Sequence, residues 1–536
     1  MGFQQVSHGT TYAPPLFTIT GSATGLALAD FMTGQTASLT QGAPTHTKLE
    51  GYYLGLYAQD SWRVRPGLTV SYGLRWEPYF PAQQGVLGPS GENEHFDMGG
   101  FLQGIRSKVF VKAPPGLYFP GDALYGPNGS SGINKSWNHF APRVGIVWDP
   151  TKSDRTVIRA GYGIFFEQIP TLEFSVTSQS PPWGGKVNLL SVPGGLANPY
   201  AGQPDGNPFP FVLDSNTPFP PYGTFDTFKE NTQTPYVQQW NFGIQRQIGN
   251  DWLVSVSYIG NEVTHLYGMR ELNPAIFVPG DCSAGQYGLT APGSCSTTAN
   301  TNERRLLTQL NPTEGTKYGF VDLWDDGGTR NYHGLLLDTQ KRVSHGFTLT
   351  ANYTWSHCIS NLVNSFPQTG AGGSGLYFSP TRKGDRGNCT VSGSDVNNGG
   401  GTDRTHIANM SGIATMPTFS NKTLRMIASD WRPSATVSIY SGGPFVVVTG
   451  TDDARNGINA VTQYANQVLP NVYGNGLPGS GANAHWLNPA AFCETSPRHP
   501  GKYGAGFGSR PRGPHLQRGL VETVSDQRAA EPGTPS

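Results

Sequence analysis

Two sets of residues in this chain could do chemistry: charged side chains on otherwise uncharged alternating segments, and oxygen-rich clusters in long loops. Arg75, Glu77, Arg143, Arg159, Arg342 and Arg404 occupy positions that could face a hydrated interior. There they would contact a polypeptide or tune what passes, or neutralise one another. Asp325-Asp326 and Asp452-Asp453 could hold a divalent cation, although such a pair also makes an ordinary solvated turn. Asp395, Asn397 and Asn398 with Asp403 form a further oxygen cluster without the spacing of a calcium loop. His333 and His406 stand alone near strand starts, so ligand roles are not expected of them. Tyr118, Trp183 and Trp324 could stack on a sugar or siderophore, or pin the loops to each other. No H-E-x-x-H, G-x-x-x-x-G-K-[ST] or G-x-S-x-G motif occurs, and no His/Cys set has metal spacing. An enzyme, a resident metal and a cofactor are therefore not expected.

Of the five cysteines, Cys282 and Cys295 share one Gly/Ser/Thr-rich loop, while Cys358 and Cys389 bracket another. Loop disulfides in an oxidising compartment fit this placement, as do unpaired thiols; Cys493 is left over.

The elements that must position these residues are strands. Leu54, Leu56, Ala58, Trp62 and Val64 alternate with Tyr57, Gln59, Ser61 and Arg63. After Arg65-Pro66-Gly67, Leu68, Val70, Tyr72, Leu74 and Trp76 alternate with Thr69, Ser71, Gly73, Arg75 and Glu77. The same period of two recurs in 143–148 with 156–166, in 237–248 with 252–260, and in 334–343 with 347–356. A weaker pair spans 406–416 and 431–440. Short turns join the first four pairs internally. Long segments rich in Gly, Pro, Asn and Ser, near 79–139, 168–234, 261–331 and 357–402, separate one pair from the next. Such long connections argue against a compact soluble domain. Short turns at one end and long loops at the other are the plan of an outer-membrane barrel. The second parity, mostly Gly, Ser, Thr, Asn and Gln, suits a hydrated lumen better than a water-facing sheet. Trp62, Trp76, Trp148, Phe166, Trp240, Tyr258, Tyr353 and Trp355 tend towards strand ends, where an interfacial girdle would lie.

Composition agrees. Lys+Arg and Asp+Glu both total 36, which argues against a broad electrostatic footprint for nucleic acid. Charged residues make up 13%, about half the usual share. The mean hydropathy of −0.37 does not speak against a barrel, whose strands are apolar only at alternate positions. No run of eighteen apolar residues marks a transmembrane helix. The start, MGFQQVSHGTTYAPP, lacks the parts of a signal peptide.

In order and spacing, a series of short motifs resembles the barrel of TonB-dependent outer-membrane receptors, in particular the Oar-like group abundant in Acidobacteria. The series includes Tyr57-Ala58-Gln59-Asp60-Ser61-Trp62, Phe140-Ala141-Pro142-Arg143-Val144-Gly145, Asn352-Tyr353-Thr354-Trp355-Ser356 and Asp403-Arg404-Thr405-His406. Ser441-Gly442-Gly443-Pro444-Phe445 and Trp486-Leu487-Asn488-Pro489-Ala490-Ala491-Phe492 extend it. The resemblance implies an all-β, antiparallel transmembrane barrel with long extracellular loops and short periplasmic turns, placed in the bacterial outer membrane. It also implies outer-membrane lipid, TonB and a plug domain as partners, with a small-molecule, carbohydrate or peptide substrate. The alternation marks about ten strands, fewer than such a barrel holds, so an incomplete barrel is expected. Residues 1–50 would lead into the barrel with remnant strands, 51–515 would be the receptor-like barrel, and 516–536 a disordered or frameshifted tail. A surface adhesion or matrix-binding β-protein is the alternative.

Overall fold

The structure is a computed structural model. It describes residues 2–11, 15–21, 23–42, 45–85, 93–127, 129–169, 177, 180–184, 186–189, 192–202, 206–207, 209, 213–344, 346–361, 387–389, 403–429, 431–441, 452, 454–457, 466–472 and 487–493.

Thirteen strands matter here. They are β1 (Gly2–Thr11), β2 (Thr45–Leu54), β3 (Leu56–Arg65), β4 (Leu68–Trp76), β5 (Phe140–Trp148), β6 (Thr156–Phe166) and β7 (Gly223–Phe228). After them come β8 (Tyr236–Ile248), β9 (Trp252–Glu271), β10 (Tyr318–Ser344), β11 (Phe347–Ser360), β12 (His406–Ala414) and β13 (Ser434–Tyr440). A 12-stranded sheet runs β3-β4-β5-β6-β8-β9-β10-β11-β12-β13, each strand antiparallel to the next, with β7 and the short 387–388 strand off this path. β1 pairs with β2 in a separate sheet. The described chain is nearly all β and the sheet is antiparallel. Among the described residues the sheet does not close on itself, because no pairing joins β3 to β13.

The hairpins turn where the sequence breaks. Gly67 has φ +83°, and a Cβ there would lie 2.7 Å from the Asp149 carbonyl oxygen, so only glycine fits. In the next turn the Asp149 carboxylate accepts from the amides of Thr151 (3.0 Å) and Asp154 (2.9 Å). This ties the turn down much as a helix cap would.

The expected long connection near 261–331 needs correction. β9 continues to Glu271 and β10 begins at Tyr318, 20 and 27 residues in all. At about 3.4 Å per residue both far exceed the roughly 30 Å of a bilayer core. Beyond the wall both faces of this hairpin meet protein or water, so the period of two disappears while the ladder continues.

Candidate functional site

The register assembles continuous rows across the sheet. Leu68, Trp148, Ile158, Ile244, Val256, Leu337, Tyr353, Ala408 and Ile439 are successive partners through nine strands. A second row runs Trp62, Val70, Ile146, Ala160, Phe242, Tyr258, Leu335, Trp355 and His406. No described residue covers them: Ile244, Val256, Leu337 and Ile439 are 38–43% exposed. In β3–β6, β8 and β11–β13, Ala141 is the one buried hydrophobic side chain among the described residues. The rows on the opposite parity are small and polar. One runs Ser61, Ser71, Gly145, Gly161, Asn241, Ile259, Gly334 and Ser356. Another contains Gln245, Ser255, Asp338, Asn352, Asn409 and Ser438, with the Asn409 amide donating to Asn352 at 3.0 Å. A sheet one layer thick, apolar and open on one face, would aggregate in water.

Aromatic rings gather at the loop end of the apolar face. Trp76 stacks on Trp137 and Phe140, and His139 stacks on Phe166 at 4.2 Å, beside Tyr236. Trp148 lies at the turn end, whereas Tyr258 is in mid-row beside Phe242, so the expected girdle is only partly at strand ends. His333 and His406 sit on this face, hydrogen-bonded through Nδ1 to the hydroxyls of Tyr258 (2.7 Å) and Tyr353 (2.8 Å).

The charged candidates do not converge. Arg75 donates to Glu77 and to the Tyr53 hydroxyl, which itself donates to Glu77 at 2.8 Å. Arg143 lies over the Phe165 ring at 4.5 Å. Arg404 lies over Tyr440 at 4.4 Å and donates to the Ser441 carbonyl. Arg159 is exposed on the polar parity, and the Arg342 amide donates to the Asp251 carbonyl.

A cap of packed loops stands beyond the loop end. Phe101, Phe110, Leu117, Phe119, Trp183, Phe225, Leu307, Tyr318 and Val321 form one buried cluster. Leu49, Tyr79, Ile133, Phe228, Met269 and Trp324 contribute to another. Tyr118, Trp183 and Trp324 are 3%, 7% and 1% exposed, so these rings pin loops and present no surface to a ligand. Cys282 is bonded to Cys295, and Cys358 to Cys389. The Asp326 carboxylate is bound by Lys229 and the Gln233 amide, and Asp325 by Lys229 and Arg270, which leaves no cation site there. Asp452 accepts from the amides of Asn456 and Gly457, and Asp403 holds His357 at 3.0 Å. Asp395, Asn397, Asn398 and Asp453 lie outside the described residues. Among the described residues no group of three His, Cys, Asp or Glu could hold a metal.

Sequence reasoning missed the cap's buried polar groups. Arg304, fully buried, donates to Asn300 and to the carbonyls of Ile276 and Thr297. Glu94 is fully buried, and desolvation, with Asp226 adding its charge, pushes its carboxyl well above the usual range. Burial lowers His95, packed on Tyr125 at 4.5 Å, to about 4. Glu94 and His95 meet Asp226 and Tyr125 from distant segments, which no local spacing announces, whereas Arg304 finds Thr297 and Asn300 nearby in sequence and Ile276 farther off.

A family profile described as an outer membrane beta barrel domain matches residues 3–520. The chain belongs to that family. It resides in the bacterial outer membrane, which explains the uncovered apolar rows: their solvent is lipid. Over 297 residues the chain is 24% identical to the TonB-dependent transporter Oar of Myxococcus xanthus, covering 51% of this chain and 24% of that protein. Among solved structures, the outer-membrane transporter YddB of Escherichia coli aligns with 10% identity and a TM-score of 0.33, over 78% of this chain and 44% of that one. The alcaligin receptor FauA of Bordetella pertussis aligns with 9% identity and a TM-score of 0.29, over 76% and 41%. Both scores are too low to carry an argument. The chain spans less than half the length of each of these relatives. They are transporters and receptors, not enzymes.

Proposed function

We propose that this chain is barrel wall and loop cap of a TonB-dependent receptor of the Oar-like group, residues 51–515 forming the receptor-like barrel. The observation that carries the reading is the nine-strand apolar row, uncovered and in register, on a chain related in sequence to a TonB-dependent transporter. In the intact receptor, substrate binds at the loops and at a plug domain. TonB then draws on the plug, and a path opens along the polar parity. Arg75, Glu77, Arg143, Arg159, Arg342 and Arg404 face that lumen, where Arg143 and Arg159 are placed to meet the plug or an anionic cargo. The cargo is a small molecule, carbohydrate or peptide.

Extraction from outer membranes followed by electrophoresis with and without heating tests the wall. A faster-migrating unheated form is expected; one mobility together with purely soluble fractionation contradicts it. The packed, disulfide-tied cap favours a second reading, a surface adhesion protein in which the cap itself binds a matrix. Cells carrying the chain would then adhere without TonB, whereas uptake by the receptor needs TonB.

A further inference from the structure

The turn between β12 and β13 differs from the other turns at its end of the sheet. Where the others are short, residues 415–429 and 431–433 continue the hairpin and carry a helix, α1 (Lys422–Ala428), at its tip. The ladder first extends past the strands: the Ala414 amide donates to the Pro433 carbonyl at 3.0 Å and the Met416 amide to Trp431 at 2.9 Å. On the apolar parity, Met410 and Gly412 pair with Val437 and Ala435. The added rungs place Met416 and Trp431 on that same face. β11 ends at Phe347, the partner of Ala414, so Met416 and Trp431 project about one rung, roughly 7 Å, beyond the neighbouring strand.

The helix adds to this apolar end. Met426 is 82% exposed, the most exposed large hydrophobic side chain among the described residues, with Ile427 at 60% and Trp431 at 65%. At 3.6 residues per turn, Met426 lies between Lys422, one turn before it, and Ile427, with Arg425 on the far side of Lys422, so an apolar strip borders a basic one. Arg425 is anchored through Nε to the Phe419 carbonyl at 2.9 Å, and Arg432 adds a third basic residue. An apolar face flanked by basic side chains and a tryptophan, continuous with a lipid-facing wall, is the composition of a segment lying in a membrane interface.

We propose that residues 416–429 with 431–432 are a lipid foot. Met416, Met426, Ile427 and Trp431 enter the periplasmic leaflet, and Lys422, Arg425 and Arg432 meet phospholipid phosphates. The foot would fix the depth of the hairpin in the bilayer. This inference rests on the lipid-facing reading of the wall, and the test separates the two.

In the full chain carrying Cys493→Ser, single cysteines at Met426→Cys, Val437→Cys (apolar parity) or Ser438→Cys (polar parity) are labelled with bimane. The proteins are reconstituted into brominated phosphatidylcholine containing phosphatidylglycerol. Quenching at Met426 and Val437, each about twofold or more above Ser438, is expected for groups in the acyl region. A label at Met426 that escapes quenching while Val437 is quenched overturns the foot and leaves the wall standing. If that unquenched label reports an apolar setting, a protein covers the segment instead, and the proposal falls. Equal quenching at Val437 and Ser438 overturns the wall reading and the foot with it. Lys422→Glu with Arg425→Glu should reduce quenching at Met426 and leave Val437 unchanged. Unaltered quenching at Met426 would overturn the phosphate contacts.

Discussion

The wall and the cap share one chain and one sheet, yet are stabilised in opposite ways. In the wall, apolar side chains occupy alternate positions, point one way and remain uncovered, with Val256 and Leu337 43% and 38% exposed. In the cap, Trp324, Phe101, Phe225 and Tyr318 have almost no exposed surface, and they come from three stretches far apart in sequence. The wall is stable where lipid replaces a second layer; the cap makes its own interior and should hold its packing in water. β9 and β10 pass from one regime to the other. The upper part of β10 gains a parallel neighbour, β7, at the level where the cap begins.

Truncations in the cap should have the largest effect and spare the wall. Trp324→Ala, which removes a ring stacked on Phe228, should cost about 3–5 kcal/mol of cap stability. Limited proteolysis should then release loop fragments, while heat-modifiable migration persists. Loss of both together would erase the distinction between the regions.

A charge should discriminate between the wall's two faces. Val256→Arg in the middle of the apolar row should cost about 2–4 kcal/mol of folding in a bilayer, whereas Ser255→Arg, one residue away on the polar parity, should cost far less. Equal costs, measured by urea unfolding in lipid vesicles, would contradict the assignment of faces.

Acid should act on the cap through His95. Its native value, about 4, lies below the ordinary 6.5, so the folded state binds fewer protons and stability is lost as pH falls from 6.5 towards 4. That loss is at most about 3 kcal/mol, and His95→Phe should remove it. Glu94 has the opposite sign: its carboxyl is raised, so its burial costs stability as pH rises above the ordinary 4.5. Glu94→Gln should therefore slow hydrogen exchange in the cap at pH 8 and leave it unchanged at pH 4. The smallest effect belongs to the polar face, where Asn409→Ala removes the hydrogen bond to Asn352 and should cost about 1 kcal/mol.

The wall was legible in the sequence because its two faces meet different solvents. Leu68 to Trp76 and Phe347 to Trp355 alternate strictly, their partner strands less so, with Asp60, Ile407 and Ile413 breaking the pattern, and Arg65-Pro66-Gly67 marks its turn by residue type alone. Sheet order followed, since each hairpin pairs with the next. The cap was not legible. β7 is buried at every residue, so it carries no alternation, and it pairs in parallel with a segment some ninety-five residues away. The Glu94–Thr227 bridge joins β7 to a still more distant segment. Trp183 and Trp324 read equally as ligand platforms or pins, because a ring's burial depends on loops whose meeting no local pattern encodes. Among the charged candidates, Arg75 and Glu77 showed their pairing by proximity. Tyr53, which completes the group, lay outside the alternation that drew attention to them.

The most direct test of the account is a cysteine scan along β9 from Leu253 to Tyr258 in outer membranes, in the Cys493→Ser background, read by a membrane-impermeant maleimide once the outer leaflet has been permeabilised. Leu253, Ser255 and Ser257 should react, and Val254, Val256 and Tyr258 should be protected, reversing at every residue. Uniform reaction along the strand, or uniform protection, would contradict a wall with lipid on one face and water on the other.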